Sequence, residues 1–406
     1  MMSRTLWMLC AGACLLRIAF VAWHAHLGWQ LRYDPSYYLT LAEHMRHGVY
    51  SLFHPLDIPD TTRMPGYPFL LHLLRGDVLV VLGLQVFASA IKVPMVYALA
   101  RIVGMTDRPA LWAAALMAVS PLDILLAGSV LTEALFTTLL LGGVLFALRN
   151  ERWVSITGAS MCFAAAAWVR PNGLVLTVLI AVLLVVMLRR SAVRSVALVA
   201  GTLLLVSPWM LRYHRLTGHV GLSDSGTMTA AYFHLPKVFV LAGDPRGKTW
   251  RHELHERASA TDWTDREATA EFFSALRSDI AMTLRAQPFA WARAQIGTLL
   301  RTLVAPGRGH ARIYFRDQAL MQWMLIGISA LLVLVAIAGM VGVFAMWRGS
   351  PNAVRLLLLL SLAVVFTGSI STPDARFRDP AMPFLVVIAA WALHQVWGRV
   401  RHPEAH

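Results

Sequence analysis

The chain has 406 residues, of which 57% are hydrophobic and only 14% charged, with a formal net charge of +14 and a mean hydropathy of +0.59. Ordinary globular chains carry about 25% charged residues, so these values exclude a soluble enzyme, a disordered chain and a disulfide-stapled secreted fold, and they describe a polytopic membrane protein. The basic excess is almost all Arg with no RNA-binding signature beside it, which speaks for loop placement and anionic lipid rather than nucleic acid.

Apolar runs, measured against a hydrocarbon thickness of ~30 Å, fall near 5–27, 78–100, 109–121, 134–148, 153–169, 173–188, 195–210, 321–347, 354–370 and 381–397. They predict an all-α bundle of about ten transmembrane helices. The first run looks like a signal peptide, but Arg17 interrupts it and it is long for one, so it reads as an uncleaved span. Cys10, Cys14 and Cys162 all lie within apolar runs and read as small core residues.

Directly after the first span comes Tyr33-Asp34-Pro35-Ser36-Tyr37-Tyr38, an Asp at a helix start with Pro at the first helical position. Gly48 would close that helix. Tyr38, Leu41, Ala42 and Met45 face one way while Glu43, Arg46 and His47 face the other, the pattern of a helix lying in the membrane interface. Asp34 can be a simple N-cap or a chemical group. Next, Thr62-Arg63-Met64-Pro65-Gly66-Tyr67-Pro68 sets one cation beside a rigid turn, where Arg63 suits either a phosphate or an interfacial anchor. Lys92, near Pro94, and Arg17 belong to spans and are expected to face the bundle interior or to snorkel.

Between the third and fourth spans, Ser120-Pro121-Leu122-Asp123 and Leu131-Thr132-Glu133-Ala134 place two carboxylates in apolar sequence. Ionisation at membrane depth costs roughly 2.5–3.5 kcal/mol per group, and such residues usually have a function. Arg170-Pro171-Asn172 joins two spans, and Arg376-Phe377-Arg378-Asp379-Pro380 opens the last one. Arg beside carboxylates suits an anionic lipid headgroup or a phosphate leaving group, which a guanidinium holds with two hydrogen bonds.

Every inner connection is basic if the N-terminus is cytoplasmic: Arg4, Arg101 with Arg108, Arg149 with Arg152, Arg189 with Arg190 and Arg194, Arg348 with Arg355, and Arg399 with Arg401. Chemistry is then expected on the outer face, which carries a first loop, 28–77, and a long insert, 211–320. In the insert Thr264 and Glu267 read as a capping box, and Phe273, Leu276, Ile280 and Leu284 share a helical face. His252-Glu253-Leu254-His255-Glu256 looks metal-like but reads as a solvated, salt-bridged helix face. P-loop, GxGxxG, HExxH and Asp-x-Asp signatures are absent from the sequence.

Asp-x-x-Tyr-Tyr after the first span, Arg-x-Pro-x-Tyr-Pro ending the first loop, Ser-Pro followed by Leu-Thr-Glu-Ala-Leu-Phe, Arg-Pro-Asn, and a terminal Arg-Phe-x-x-Pro-x-x-Pro together resemble the membrane-integral GT-C glycosyltransferases. The likeness is to the bacterial branch near protein O-mannosyltransferases and the aminoarabinose and galacturonic acid transferases of lipopolysaccharide. It covers about 5–210 and 354–397. It implies a GT-C module over 1–210 with the first outer loop 28–77 and interfacial helices in it, a helical periplasmic insert at 211–320, and C-terminal spans with a short cytoplasmic tail at 321–406. It also implies transfer of a sugar, with inversion, from a polyprenyl-phosphate donor to a lipid, glycan or protein hydroxyl on the outer face of the inner membrane, with both termini cytoplasmic.

By that resemblance Asp34 is the catalytic carboxylate, Glu133 the second acidic position, and Arg63, Arg170 and Arg376 or Arg378 the cations that meet the donor phosphate. Since an acceptor hydroxyl needs a base within about 2.6–3.2 Å, Asp34 on a loop pinned by Pro35 is the expected general base, with Glu133 orienting the acceptor or the sugar. Tyr37, Tyr38, Tyr67 and Asp123 would line the substrate site. Many relatives have Asp-Glu where this chain has Asp34-Pro35, and some have an acidic residue where Thr62 stands, so the pattern does not support a bound divalent metal. The competing readings are a polysaccharide polymerase or ligase, and a transporter or flippase of lipid-linked substrates. Against transport, the charged residues concentrate on one face instead of bracketing a midplane site.

Overall fold

The computed structural model describes residues 3–31, 33–52, 58–150, 152–370 and 373–401. Each apolar run expected to span is helical. The first is α1 (Arg4–His26), started by the Ser3 hydroxyl, which accepts from the Leu6 N–H at 3.2 Å. In the first loop lie α2 (Asp34–His44) and α3 (Gly66–Leu73). The second run is two helices, α4 (Val78–Ala90) and α5 (Lys92–Ile102), separated at Ile91 three residues before Pro94, whose ring leaves no N–H to continue the ladder. Then come α6 (Asp107–Ala118) and the short α7 (Pro121–Ala127), bent by 52° from each other. Next are α8 (Glu133–Arg149), α9 (Trp153–Val169), α10 (Asn172–Leu188) and α11 (Ala192–Thr217).

The insert contains α12 (Ser225–Thr229), a π-helical turn over Ala230–His234, α13 (Leu235–Ala242), α14 (Arg246–Ala260), α15 (Arg266–Ala286), α16 (Pro288–Val304) and α17 (Arg308–Tyr314). The chain ends in α18 (Ala319–Ala345), α19 (Asn352–Gly368) and α20 (Met382–Arg401). Among the described residues five helical segments are long and apolar enough to cross a membrane, or up to six if the bent pair counts as one span. The remaining expected spans α8, α9, α10 and α19 are 17 residues each, near the ~17-residue lower limit for a span.

One core joins α1, α4–α6, α8–α10 and α18–α20. Helices of a membrane bundle approach closely where residues are small. Gly339 of α18 lies so near α20 that a Cβ there would meet the Ala389 Cα at 2.6 Å. Arg17 and Lys92 both turn inward and are fully buried.

The insert has a small core of its own, with Leu235, Phe239, Trp250, Leu254, Phe272, Phe273 and Leu276. Ile280 packs against it, but Leu284 is exposed and Thr283 is buried in its place. The expected capping box is also displaced by one residue. Asp265 caps α15 by accepting from the Glu267 N–H at 2.9 Å, while the Thr264 hydroxyl bonds Asp262. His252 pairs with Glu256 across one exposed helical turn at 3.1 Å, as a solvated face should.

Candidate active site

At one end of the bundle the starts of α2 and α8, the end of α9, a 3-10 turn over Ala375–Phe377 and the first loop bring charged side chains together. α2 begins at Asp34, after Tyr33 in the left-handed region at φ 62°. No side chain caps this helix. The Asp34 carboxylate is therefore not spent as an N-cap: Oδ1 accepts from Arg63 Nη2 at 3.2 Å and Oδ2 from Arg376 Nη1 at 2.9 Å. Its burial pushes the carboxyl pKa up, but the charges of Arg376, Arg63 and Arg170 outweigh that and hold it below the ordinary carboxylate value.

Arg63 is placed by the loop before α3. The Asp60 carboxylate accepts from the Thr62 N–H at 2.8 Å, the Thr62 hydroxyl at 2.6 Å and the Arg63 N–H at 3.2 Å. Gly66 then lets α3 touch the end of α9, where a Cβ would meet the Trp168 carbonyl oxygen at 2.7 Å. Two residues beyond Trp168 stands Arg170, which donates through Nε to the Thr132 hydroxyl at 2.6 Å and pairs through Nη2 with Glu133. Glu133 opens α8 and is fully buried. This contact set holds three guanidinium groups against two carboxylates. Arg63 and Arg376 each keep a buried Nε–H that has no partner among the described residues, and a buried donor left unpaired costs about 1–3 kcal/mol.

Asp34 and Arg376 open onto a cleft of about 860 Å³, whose far wall is α17 with the segment after it. Tyr314 fixes α17 there, its hydroxyl sharing a 2.5 Å hydrogen bond with Ser129 and its carbonyl accepting from Trp23 Nε1 at 3.3 Å. His310 borders the same cleft and lies 3.7 Å from the Asp374 carboxylate. Asp374 in turn accepts from the Arg376 N–H at 3.0 Å.

Sequence reasoning placed Asp34, Glu133, Arg63, Arg170 and Arg376 here, and the structure brings all five together. Tyr37 lies beneath the Arg63 guanidinium, 5.6 Å from its ring centre, and Tyr38 packs edge-on against Tyr67. Three expectations depart. Tyr67 is fully buried and its hydroxyl donates to Gln85 at 2.5 Å, so it supports Tyr38 from behind. Arg378 spends Nη1 on the carbonyls of Thr302, Leu303 and Ala305, at 3.2, 2.8 and 2.7 Å, closing the C-terminus of α16 instead of facing the cleft. Asp123 is sealed inside the bundle with Arg17 and Ser89, each at 2.5 Å, and with Lys92. There it balances buried cations.

His310, Asp374 and Asp60 escaped the sequence reading. α17 is too short for periodicity to show, and only Asp374, two residues before Arg376, had a local signal in its turn-forming Pro-Asp pair. Among the described residues no group of three or more His, Cys, Asp or Glu side chains converges as a metal would need. The neighbours of Asp34 are cations, so its surroundings do not fit a metal.

No family model and no curated protein matches this sequence. Among solved structures, the archaeal oligosaccharyltransferase AglB from Archaeoglobus fulgidus, in complex with an inhibitory peptide and a dolichol-phosphate, superposes at a TM-score of 0.57 with 14% identity over 98% of this chain and 51% of that one. The Archaeoglobus fulgidus oligosaccharyltransferase in complex with Zn and sulfate gives 0.58 with 15% identity over 98% and 49%. ArnT from Cupriavidus metallidurans bound to undecaprenyl phosphate gives 0.42 with 12% identity over 98% and 80%. This chain spans about half the length of the oligosaccharyltransferase chains, and over nearly all of its own length it has the GT-C fold.

Proposed function

We propose that the protein is an inverting glycosyltransferase that moves a sugar from a polyprenyl-phosphate donor to a hydroxyl acceptor on the outer face of the membrane. The observation that carries this reading is the division of the Asp34 carboxylate between Arg63 and Arg376, beside the Arg170–Glu133 pair, with Asp34 and Arg376 lining the cleft. A sugar phosphodiester carries one negative charge, which the guanidinium groups of Arg63, Arg170 and Arg376 are placed to meet.

As the bond between the anomeric carbon and the phosphate oxygen breaks, charge accumulates on the departing phosphate. Guanidinium groups already in place stabilise that charge in a partly dehydrated site without reorganising. Arg63 and Arg376 can exchange their contact with Asp34 for the phosphate, adding their unpaired Nε–H groups. The released Asp34 carboxylate is then close to the anomeric carbon, where it can orient the acceptor hydroxyl and stabilise the positive charge that develops on the sugar. Glu133, buried behind Arg170, sets the direction of that guanidinium. The dolichol-phosphate in the AglB complex accords with a lipid-phosphate donor.

The test is release of free polyprenyl phosphate by the full-length protein in lipid, offered a panel of polyprenyl-phosphate sugars, with Asp34→Asn as control. Release that requires one sugar and is lost in the variant supports the reading and names the donor. No release with any donor, with crude envelope acceptors present, overturns it.

A further inference from the structure

Transfer to a hydroxyl has a second requirement, a group to receive the acceptor's proton. Asp34 is poorly suited to it: once Arg63 and Arg376 turn to the donor phosphate, its carboxylate faces the positive charge that develops on the sugar, and that charge lowers its affinity for a proton. Across the cleft His310 offers a different environment. Its side chain is only 12% exposed, it borders the cleft on α17, and its Nδ1 lies 3.7 Å from an Asp374 carboxylate oxygen.

We infer that His310, oriented by Asp374, is the proton acceptor for the acceptor hydroxyl, and that Asp34 is not. The inference rests on the transferase reading and assigns one step within it. A rotation that brings Nδ1–H onto Asp374 leaves the Nε2 lone pair as the base. As the acceptor oxygen forms its bond to the anomeric carbon, Nε2 takes the hydroxyl proton. The electron pair of the breaking carbon–oxygen bond leaves on the lipid phosphate, which Arg63, Arg376 and Arg170 receive. The imidazolium then passes its proton to water or to the departed phosphate. Asp374 also accepts from the Arg376 N–H, so one carboxylate would fix both the base and a phosphate-binding cation.

The surroundings keep the ring neutral at pH 7. Burial pulls the His310 pKa below 6.5, Asp374 and the more distant Glu133 oppose that, and Arg376 adds to it. α18 packs on α17 without a titratable residue, α1 sets His24 edge-on against Tyr314, and Arg316 and Asp317 follow α17 along the cleft. α7 brings only Asp123, already held by Arg17 and Lys92. On its own helix His310 has Arg308, Arg312 and Tyr314, and Asp34 faces it across the cleft with its charge met by two guanidinium groups. A base of this kind contributes about 10²–10⁴-fold to rate and works best with a pKa near the operating pH.

The experiment uses the full-length protein in lipid, the donor found in the panel, glycerol as hydroxyl acceptor, and azide as an anionic acceptor with no proton to lose. His310→Ala and the shape-conserving His310→Gln are expected to lower release with glycerol by about 10²-fold or more, and azide is expected to restore much of it in both. Wild-type kcat/KM with glycerol should fall on an acid limb below pH 6.5. Asp374→Asn removes the charge that favours imidazolium and should move that limb to lower pH.

Wild-type rates with glycerol in the His310 variants would overturn the assignment. So would failure of azide to restore release in variants that still bind polyprenyl phosphate, since a purely structural histidine would behave in that way. If the wild type cleaves no donor even with azide, the transferase reading itself falls and the His310 assignment with it, an outcome distinct from the other two.

Discussion

Asp34 is where chemistry and electrostatics meet most directly. In the free protein its carboxylate occupies the guanidinium groups that a donor phosphate would take, so it competes with the donor for them. Asp34→Asn should therefore bind sugar-free polyprenyl phosphate more tightly than the wild type while transfer falls by about 10²-fold or more. Equilibrium binding in nanodiscs beside the release assay checks both halves, and weaker binding would contradict the competition. A pH dependence follows with a definite sign. A carboxyl whose folded pKa lies below its ordinary 3.8 contributes stability that is fully present above that value and is lost as pH falls through the lower, folded one. A loss of activity that sets in near pH 6 cannot come from Asp34. The Asp34 run was legible because Asp-Pro at a helix start is a local signal, whereas the choice between N-cap and ion pair depended on Arg376, 342 residues away. Asp123 failed for the same reason in reverse: its partner Arg17 is 106 residues distant, and a carboxylate between two spans gives no sign of which way it turns.

At the scale of elements, the insert reaches the site through the first loop. Asp224, before α12, is fully buried. Its carboxylate accepts from Tyr213 at 2.8 Å and Arg277 at 2.7 Å, and its N–H donates to the Thr61 carbonyl at 2.8 Å. Ser223 adds a 2.7 Å bond to the Thr62 carbonyl. The segment that carries Arg63 is thus held from the insert side, and α11 and α15 supply the buried anchor. Arg277→Ala would leave the Asp224 charge without its cation. The cost should be about 1–3 kcal/mol, less than the 3–5 typical of a fully buried pair because Arg277 is 28% exposed. The donor KM should rise more than kcat falls, since the loop that aims Arg63 loosens while the reacting groups stay intact. Thermal unfolding and donor titration measure the two effects. On the other side of the same loop Gly66→Ala forces a Cβ against the Trp168 carbonyl. Backbone cannot yield as a side chain can, so a loss of about 1–3 kcal/mol and displacement of Arg63 from Asp34 are expected. Pro65-Gly66 announced a turn in the sequence, but not that α9 fills the space beside it.

For the molecule as a whole, α8 gives the clearest measure of polarity. It starts at Glu133 in the site and ends at Arg149, and at 1.5 Å per residue these ends are about 24 Å apart. α10 runs the same way, from Asn172 beside Arg170 to Leu188 beside Arg189 and Arg190. At the far end Ile102, Leu148, Leu188, Arg190 and Ala353 surround one shallow cleft, and Asn352 donates to the Met187 carbonyl at 2.8 Å. The basic connections at Arg101, Arg149, Arg189–Arg190 and Arg355 therefore gather opposite the Asp34 cluster. If their positive charge holds them on the cytoplasmic side, Asp34 and the insert are expected outside. Periodicity made the long axis of the helices readable before any contact was known, because it follows from the bilayer acting as solvent along the whole chain.

The axis can be tested without reference to catalysis. With Cys10, Cys14 and Cys162 replaced by Ala, a single cysteine is introduced at Val220, which is 81% exposed in the insert, or at Gly349, which is exposed and has open space for a Cβ. In intact cells a membrane-impermeant maleimide should label the Val220→Cys variant, and label the Gly349→Cys variant only after permeabilisation. The reverse pattern would place the Arg63 and Arg376 cluster in the cytoplasm, where the excess of positive charge at the other end would have opposed its insertion.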